Sequence, residues 1–182
     1  MDYSENIKKH YTEFWGEFTE HRFDKGPVSE LPIEFCILKF PPHGKRNMWT
    51  YATCGMSGKL GMNAIEIHMF SSAEYDFLVE LLTVIAHYHV TEGNLDLGHT
   101  INFGCPWCKG SGLEYGLISL PYLDGPVFEN LQAELKNIRF LWLIPITISE
   151  KNYKKQNGLE ALERKFDESY FNYLDPYRES VI

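Results

Sequence analysis

The sequence contains no segment that predicts a membrane-spanning helix. Its longest apolar run, Phe140 to Ile146, is far shorter than the roughly 20 residues that such a helix needs. Residues 1–5 lack the basic region followed by an apolar stretch that marks a secretory signal. We therefore expect a soluble protein of the cytoplasm that does not bind membranes.

Cysteines and basic residues are both scarce. Four cysteines in 182 residues do not make a disulfide scaffold, so free thiols are expected. Lysine and arginine together number 17 against 25 acidic residues, which gives a net charge of −8. A nucleic acid or an anionic membrane would need a concentrated basic face, so neither is the expected partner. The acidic balance fits a basic protein partner, and it also fits a charge that only keeps the protein in solution.

Signatures of catalysis are missing as well. The sequence has no Gly-x-Ser-x-Gly elbow, P-loop, dinucleotide-binding fingerprint or HExxH motif. Its carboxylates show no spacing that indicates an acid–base pair, so we predict a protein that is not an enzyme and needs no cofactor. The absence of internal repeats and long linkers predicts one domain over residues 1–182, with residues 1–28 as an N-terminal helical extension.

The N-terminal residues predict an amphipathic helix. Asp2 and Glu5 would cap its start, and Gly26, Pro27 and Pro32 would break the pattern after it. With 44% hydrophobic and 15% aromatic residues, the chain can build a substantial core for this helix to pack on. The apolar residues at helical spacing are Ile7, Tyr11, Phe14, Trp15 and Phe18.

Three strands are predicted next. Ile33 to Phe40 is apolar on both faces, as in a buried strand, and Trp49 to Cys54 is rich in aromatic and β-branched residues. In residues 65–69, apolar side chains alternate with Glu66 and His68, which predicts a strand with one face in solvent.

A long helix should follow these strands. Ser71 and Glu74 predict a capping box at its start, and Gly93 and Asn94 are suitable residues to end it. The apolar stripe of this helix is Phe77, Leu78, Leu81, Leu82, Ile85 and Tyr88.

The last third of the chain predicts two strands and a helical tail. Tyr115 to Leu120 is a short strand, and Ile138 to Ile146 predicts a central strand covered on both faces. Ser149 and Glu150 open the tail, in which Leu159, Leu162 and Phe166 share a face. The order of elements predicts an α+β domain with a mixed β-sheet flanked by helices.

Six phrases, read in order, resemble the suppressor-of-fused family. They are WTYATCGMS at 49–57, AHYHV at 86–90, GHTI at 98–101, GCPW at 104–107, LIPIT at 143–147 and DPYRESV at 175–181. With flanking matches, the resemblance extends over residues 30–182. It implies a sandwich-like α/β fold in a family that is not known for catalysis.

The resemblance also implies a function in protein binding. The two-domain animal member sequesters a transcription factor by gripping a short peptide, and this chain resembles only the first of those domains. Stand-alone members are bacterial, and many look like immunity proteins that neutralise a cognate polymorphic toxin. We therefore predict an immunity or antitoxin protein that occludes a basic toxin domain, because complementary charge speeds association.

The same resemblance supplies candidate partner-binding residues. In the animal relative the pocket has a tyrosine at the place of Tyr88 and an acidic residue at about the place of His99, so a histidine here implies a different partner. Thr100 belongs to the same motif, and Trp107 and Arg178 lie in other matching phrases. The alternative for His99 and Thr100 is structural, since loop polar groups often hydrogen-bond the next strand. Trp107 can equally dock in its own loop, and Arg178 can hold the tail through a carboxylate pair.

Cys105 and Cys108 form a CxxC pair that allows a second function. A redox site would need the first thiol at a helix N-terminus, yet residues 109–112 are poor helix formers. A zinc site would need further ligands. The candidates to complete it are His99, Cys36 and Cys54. The family pattern requires neither cysteine of the pair, so we expect two free thiols and no metal, with a small zinc-binding or redox protein as the alternative.

A third possible function is an oligomeric regulatory domain. An exposed sheet edge can pair with the same edge of a second copy and form a homodimer. The mass in solution distinguishes this hypothesis from the first, and the zinc content of the purified protein distinguishes the second.

Overall fold

The computed structural model describes residues 3–23, 25, 28–59, 61–133 and 136–182. The predicted roles of Asp2 as a helix cap, and of Gly26 and Pro27 as helix breakers, lie outside the described residues. No helix within these ranges combines the length and apolarity that a membrane crossing requires.

In the part of the chain that the structure describes, eight strands form one mixed sheet in the order β1-β2-β3-β4-β8-β6-β5, and β7 pairs with β8 beside this path. The pair β4–β8 is parallel and the other pairs are antiparallel. The strands are β1 (Thr19–His21), β2 (Cys36–Phe40), β3 (Trp49–Cys54), β4 (Ile65–Ser71), β5 (Thr100–Asn102), β6 (Tyr115–Ser119), β7 (Asn130–Gln132) and β8 (Asn137–Ile146).

Within the described residues, four α-helices cover the two faces of this sheet. They are α1 (Tyr3–Trp15), α2 (Phe77–Tyr88), α3 (Ile148–Asn157) and α4 (Leu159–Ser169). Alternate residues of a strand point to opposite faces, and along β8 the odd-numbered Leu141 and Leu143 pack with α2. The even-numbered residues of β8 pack with α1 near Ile138 and with α4 near Ile144. The predicted α+β architecture with a mixed sheet and flanking helices is confirmed.

Helix α1 is part of the core. Ile7, Tyr11 and Trp15 are buried against residues of β2, β3 and β8, as their helical spacing predicts. The helix ends at Trp15, because Gly16 takes a positive φ of 82° that favours glycine. Phe18, predicted as part of the stripe, therefore lies beyond the helix and is only half-buried.

The prediction that β4 has one face in solvent is wrong. Glu66 and His68 are both fully buried, because α1 covers the face of the sheet to which they point. The Glu66 carboxylate accepts hydrogen bonds from the Thr53 hydroxyl (2.6 Å) and from the backbone N–H groups of Gly55 and Ser57 (3.0 Å each). Burial raises the pKa of Glu66 even though these donors oppose the shift. Apolar and polar residues do alternate along β4, but both faces of the strand are buried inside the protein.

His68 lies in an aromatic pocket. Its ring contacts Trp15 (5.1 Å between centroids) and Phe70 (5.1 Å). Neither ring nitrogen has a partner among the described residues. Burial and then the charge of Arg46 lower the pKa of His68 well below its ordinary value of 6.5. Arg46 itself pairs with Asp124 (2.5 Å), so His68 stays neutral beside an ion pair.

Acidification should therefore remove the stability that the neutral His68 contributes, while Glu66, with its raised pKa, acts in the opposite direction. Below about pH 6.5 the unfolded chain binds a proton at His68, whereas the folded chain does not. The free energy of unfolding therefore decreases as the pH falls through that value. We expect the free energy of unfolding, measured with urea, to fall by about 1.4 kcal/mol per pH unit for this group. Burial lowers the pKa of His10 and His89 in the same direction.

The matched variant is His68→Leu, which removes the titrating group from an apolar pocket. It should show a shallower loss of stability between about pH 7 and about pH 5 than the unmodified protein. Equal slopes in the two proteins would assign the acid sensitivity to other groups.

Two further boundary predictions are corrected by the structure. The strand predicted from Ile33 begins at Cys36, and Ile33 is 88% exposed because residues 33–34 form a turn. Ser71 and Glu74 do not form a capping box, since Ser71 is the last residue of β4 and Glu74 pairs with Lys39 (2.5 Å). The helical tail is confirmed, but Gly158, with a φ of 91°, divides it into α3 and α4.

A genuine capping box begins α3. The hydroxyl of Thr147 accepts from the Glu150 N–H (3.2 Å), and the Glu150 carboxylate accepts from the Thr147 N–H (2.8 Å). This reciprocal arrangement satisfies two donors that the helix start leaves free. It also fixes Glu150 at the end of β8, where the C-terminal tail reaches it.

Candidate partner-binding site

Strand β5 forms one edge of the sheet and offers backbone groups for pairing. The His99 carbonyl accepts from the Ile118 N–H (2.9 Å), and the Phe103 N–H donates to the Glu114 carbonyl (3.0 Å). Residues of an antiparallel strand alternate between pairs that exchange hydrogen bonds and pairs that do not. The N–H and C=O groups of Thr100 and Asn102 therefore point away from β6, towards the outside of the sheet.

A groove of about 340 Å³ runs between β5 and the C-terminal half of α2. Its apolar wall is partly open to solvent, with Val84 49% exposed and Tyr88 42% exposed. We call this feature the β5 groove, and its lining residues are Leu81, Val84, Ile85, Tyr88, Thr100, Ile101, Asn102 and Phe103. Two predicted site residues, Tyr88 and Thr100, are thus brought together.

Two glycines allow the rings of the β5 groove to lie where they do. A Cβ atom at Gly93 would overlap the ring of Tyr88, and one at Gly116 would overlap the ring of Phe103. Gly93 and Asn94 were predicted together to end the helix, and Asn94 takes the left-handed conformation there, with a φ of 33°. Gly93 leaves space for the tyrosine.

His99 lies just before β5 and is exposed. Its backbone joins the structure, because the N–H donates to the Asp96 carbonyl (3.0 Å) and the carbonyl accepts from β6. The adjoining Gly98 carbonyl accepts from the Lys154 ammonium. The backbone of His99 thus holds the start of the strand. Its side chain is exposed, forms no hydrogen bond or ion pair within the described residues, and precedes Thr100, which lines the β5 groove.

Trp107 lies away from the β5 groove. Only 5% of its surface is exposed, and it packs in the core that α2 covers. Its ring meets Tyr75 edge-on at 6.4 Å and lies 6.3 Å from Phe77. The side chain contacts the domain's own residues, which matches the docking alternative; a direct role in partner binding remains a prediction.

Arg178 holds the C-terminal tail against Glu150. Its Nη1 and Nη2 atoms donate to Oε1 (2.7 Å) and Oε2 (2.9 Å) of that carboxylate, and Nη2 also donates to the Pro145 carbonyl (2.8 Å). The Val181 N–H adds a further bond to Oε1 (3.0 Å). Burial alone would raise the pKa of Glu150, but Arg178 and the backbone donors hold it below its ordinary value. The expected Arg–carboxylate pair is present and buried.

The CxxC loop does not bring its predicted zinc ligands together. Cys105 is exposed, whereas Cys108 is buried with its Sγ 3.8 Å from the Tyr177 hydroxyl. Cys36 and Cys54 oppose each other across β2 and β3 in the core under α1. Within the described ranges, no three histidine, cysteine or acidic side chains are grouped so that they could hold a metal ion. The loop after Cys105 is also not helical, so the geometry that would activate the first thiol is missing.

The sequence and the structure are both similar to known proteins of one family. The family model for suppressor of fused protein matches residues 32–179. A suppressor-of-fused homologue from Neisseria gonorrhoeae FA 1090 is 31% identical and superposes with a TM-score of 0.87, over 100% of this chain and 98% of that one. No curated protein sequence matches the chain.

Two more distant structures share the fold. Sufu, in the crystal structure of the Sufu–Fu complex, has a TM-score of 0.67 at 14% identity, over 98% of this chain and 90% of that one. Drosophila Suppressor of Fused has a TM-score of 0.68 at 13% identity, over 98% of this chain but 50% of that one. The family model and the Neisseria homologue together show that the chain belongs to the suppressor-of-fused family.

Proposed function

We propose that this domain binds an extended segment of another protein in the β5 groove and catalyses no reaction. The observation that carries the proposal is the combination of two outward-facing backbone positions, Thr100 and Asn102, with a half-exposed apolar wall on α2. A peptide added to a free sheet edge gains affinity from main-chain hydrogen bonds and specificity from pockets beside the strand. The Sufu–Fu complex, in which a family member is bound to another protein, supports a binding function.

We further propose that the partner is a basic toxin domain and that this protein is its cytoplasmic immunity protein. The support is the net charge of −8, which attracts a basic partner and accelerates its association. Binding would neutralise the toxin by covering its active site or substrate channel. His99 at the end of the β5 groove then contacts the partner directly, together with Tyr88 and Thr100.

Co-expression with the product of the neighbouring gene tests this function. The proposal predicts that the neighbouring product stops growth alone, and that growth is restored and the two proteins co-purify when this chain is present. Normal growth in the presence of the neighbouring product alone would remove the case for immunity. The competing hypothesis is that a second copy of this chain pairs with β5 and forms a homodimer. The mass of the purified protein in solution distinguishes the homodimer from a monomer with a free β5 edge.

A pair of variants at Thr100 tests the β5 groove itself. Thr100→Pro removes an N–H that points away from β6, so it should block strand addition without breaking the sheet. Thr100→Val keeps the N–H and is the matched control. We expect Thr100→Pro to weaken partner binding at least about tenfold more than Thr100→Val does, in a titration of the purified proteins. Equal affinities of the two variants would place the partner on another surface.

A further inference from the structure

A second, larger cleft lies on the opposite face of the sheet. It has a volume of about 710 Å³ and lies between α4, the strands β6 and β8, and residues 170–173. We call it the α4 cleft. The even-numbered residues of β8 that form its floor, Trp142 and Ile144, point away from α2, so the α4 cleft is separate from the β5 groove.

The walls of the α4 cleft are aromatic. Tyr122, Tyr170 and Tyr173 line it together with Phe166 and Phe171. Tyr122 is 57% exposed and Tyr170 is 92% exposed, so both rings are accessible to a ligand from solvent. The faces of these rings carry the negative charge of the π system and attract cations.

Tyr170 occupies a strained backbone position. It ends α4 with a φ of 50°, in the left-handed conformation that a glycine would adopt without cost. Phe171 follows it and stacks on Phe166 (4.3 Å between centroids). A strained, fully exposed tyrosine at the rim of a cleft contributes nothing to the core, and such outliers are concentrated at binding sites.

Three carboxylates accompany the rings. Glu160, Glu163 and Asp167 line the α4 cleft with a single cation, Arg164, which gives a charge of 1 − 3 = −2. Within the described part of the chain, none of these four residues belongs to an ion pair.

The Glu163 carboxylate is held in place by its neighbours. It accepts hydrogen bonds from the Ser119 hydroxyl (2.5 Å) and the Tyr122 hydroxyl (3.1 Å). Burial and the charge of Glu163 raise the pKa of Tyr122 to about 12, so the phenol stays a donor. A carboxylate has about four acceptor positions, so two of them stay available to a ligand.

Two arginines of this domain are each held by a carboxylate and by aromatic rings, the same kinds of group that line the α4 cleft. Arg178 pairs with buried Glu150 and lies over the rings of Phe166 (5.7 Å) and Phe171 (5.3 Å). In the same way, Arg46 pairs with Asp124 and lies over Trp15 (5.2 Å) and Phe70 (5.3 Å).

The α4 cleft adds three tyrosines, Tyr122, Tyr170 and Tyr173, over which no cation lies within the described residues, and three carboxylates beside them. From this match we infer that the α4 cleft binds an arginine side chain of a basic segment in the partner protein. Arginine fits better than lysine because its planar guanidinium can stack on a ring and pair with a carboxylate at the same time. The inference rests on the proposed function only in that the arginine comes from a protein partner.

A short peptide probe tests the α4 cleft without the partner. The probe is a capped peptide with one arginine between glycines, titrated to about 10 mM into the full-length, isotope-labelled protein. We expect saturable shifts in the NMR signals of residues 160–173 and of the Trp142 indole. The same peptide with citrulline, which has the shape of arginine without its charge, should bind at least about fivefold more weakly.

Two variants identify the groups responsible. Glu160→Gln with Asp167→Asn removes two charges and leaves the Glu163 hydrogen bonds intact, and Tyr170→Gly removes a ring. Both should weaken arginine binding about threefold or more, and Tyr170→Gly should at the same time raise the melting temperature because the strain is relieved. The charge control is Glu13→Gln with Glu17→Gln, two exposed residues at the α1 end of the chain, which should leave the titration unchanged.

Three results would overturn the inference: no shifts at the α4 cleft, equal binding of the citrulline peptide, or an equal loss in the control variant. Because no partner is needed, this assay is independent of the Thr100 variants. If the Thr100 variants show that the partner does not bind in the β5 groove, the result of the peptide titration is unaffected. If the peptide does not bind in the α4 cleft, the result for the β5 groove is unaffected.

Discussion

Replacing Arg178 with alanine is expected to lower the free energy of unfolding by about 3–5 kcal/mol, as measured by urea denaturation. The reason is that Glu150, whose side chain is fully buried, would lose its only cationic partner among the described residues and remain as an uncompensated charge. Two side-chain hydrogen bonds to that carboxylate and one to the Pro145 carbonyl would be lost as well. The tail after residue 175 should then detach from α3.

The pH dependence of this loss identifies its cause. Once Arg178 is gone, burial raises the pKa of Glu150, whereas in the unmodified protein the pair holds it below its ordinary value of 4.5. The difference in stability between the two proteins should therefore shrink as the pH falls from above about 4.5, where Glu150 of the variant takes up a proton, to below that value. The control is Lys165→Ala, which breaks the exposed pair with Glu168 and should leave the urea midpoint unchanged. A loss of stability that is the same at all pH values would assign the effect to packing of the tail.

Truncating Trp15 to alanine is expected to lower the free energy of unfolding by about 3–5 kcal/mol, the usual range for removing a large buried ring. Trp15 is 2% exposed, stacks on Tyr11 (4.8 Å) and meets Phe40 edge-on (5.2 Å). Its indole N–H donates to Asp124 (2.8 Å), so the truncation also disturbs the ion pair with Arg46.

This second prediction tests the domain boundary. If residues 1–28 were only an extension, Trp15→Ala would leave the urea midpoint near that of the control Glu17→Ala, an exposed residue two positions away. A large loss would mean that α1 belongs to the same cooperative unit as the sheet, although the family model begins at residue 32.

The elements with strong local patterns could be predicted from the sequence. β8 was predicted because a strand buried on both faces has a continuous run of apolar residues. α2 was predicted because a helix buried along one face has apolar residues at helical spacing. The short edge strands β1, β5 and β7 have three residues each, too few for a period of two to be visible. The buried state of Glu66 and His68 was missed because it depends on α1, which is distant in sequence.

The candidate site was only partly predictable for the same reason. Tyr88 and Thr100 were found through the family resemblance, whereas Val84 and Phe103 carry no local signal. Phe103 reaches the β5 groove because β5 pairs with β6 at Gly116, and that pairing cannot be derived from the residues of either strand alone. An ion pair of Arg178 with a carboxylate was predicted, but its partner Glu150 was not named. The Thr147-x-x-Glu150 pattern of a capping box could have identified that carboxylate.

The position of β8 in the sheet has a consequence for how the chain folds. β8 is the last strand in sequence, yet it lies between β4 and β6, both of which are made earlier. The segment that joins β4 to β8 exceeds 60 residues, since Ser71 ends one strand and Asn137 begins the other. Closing so long a loop is entropically costly before any contact rewards it. Without β8, the strands β1 to β4 share no pairing with β5 and β6, so we expect the single sheet to be complete only once β8 is in place.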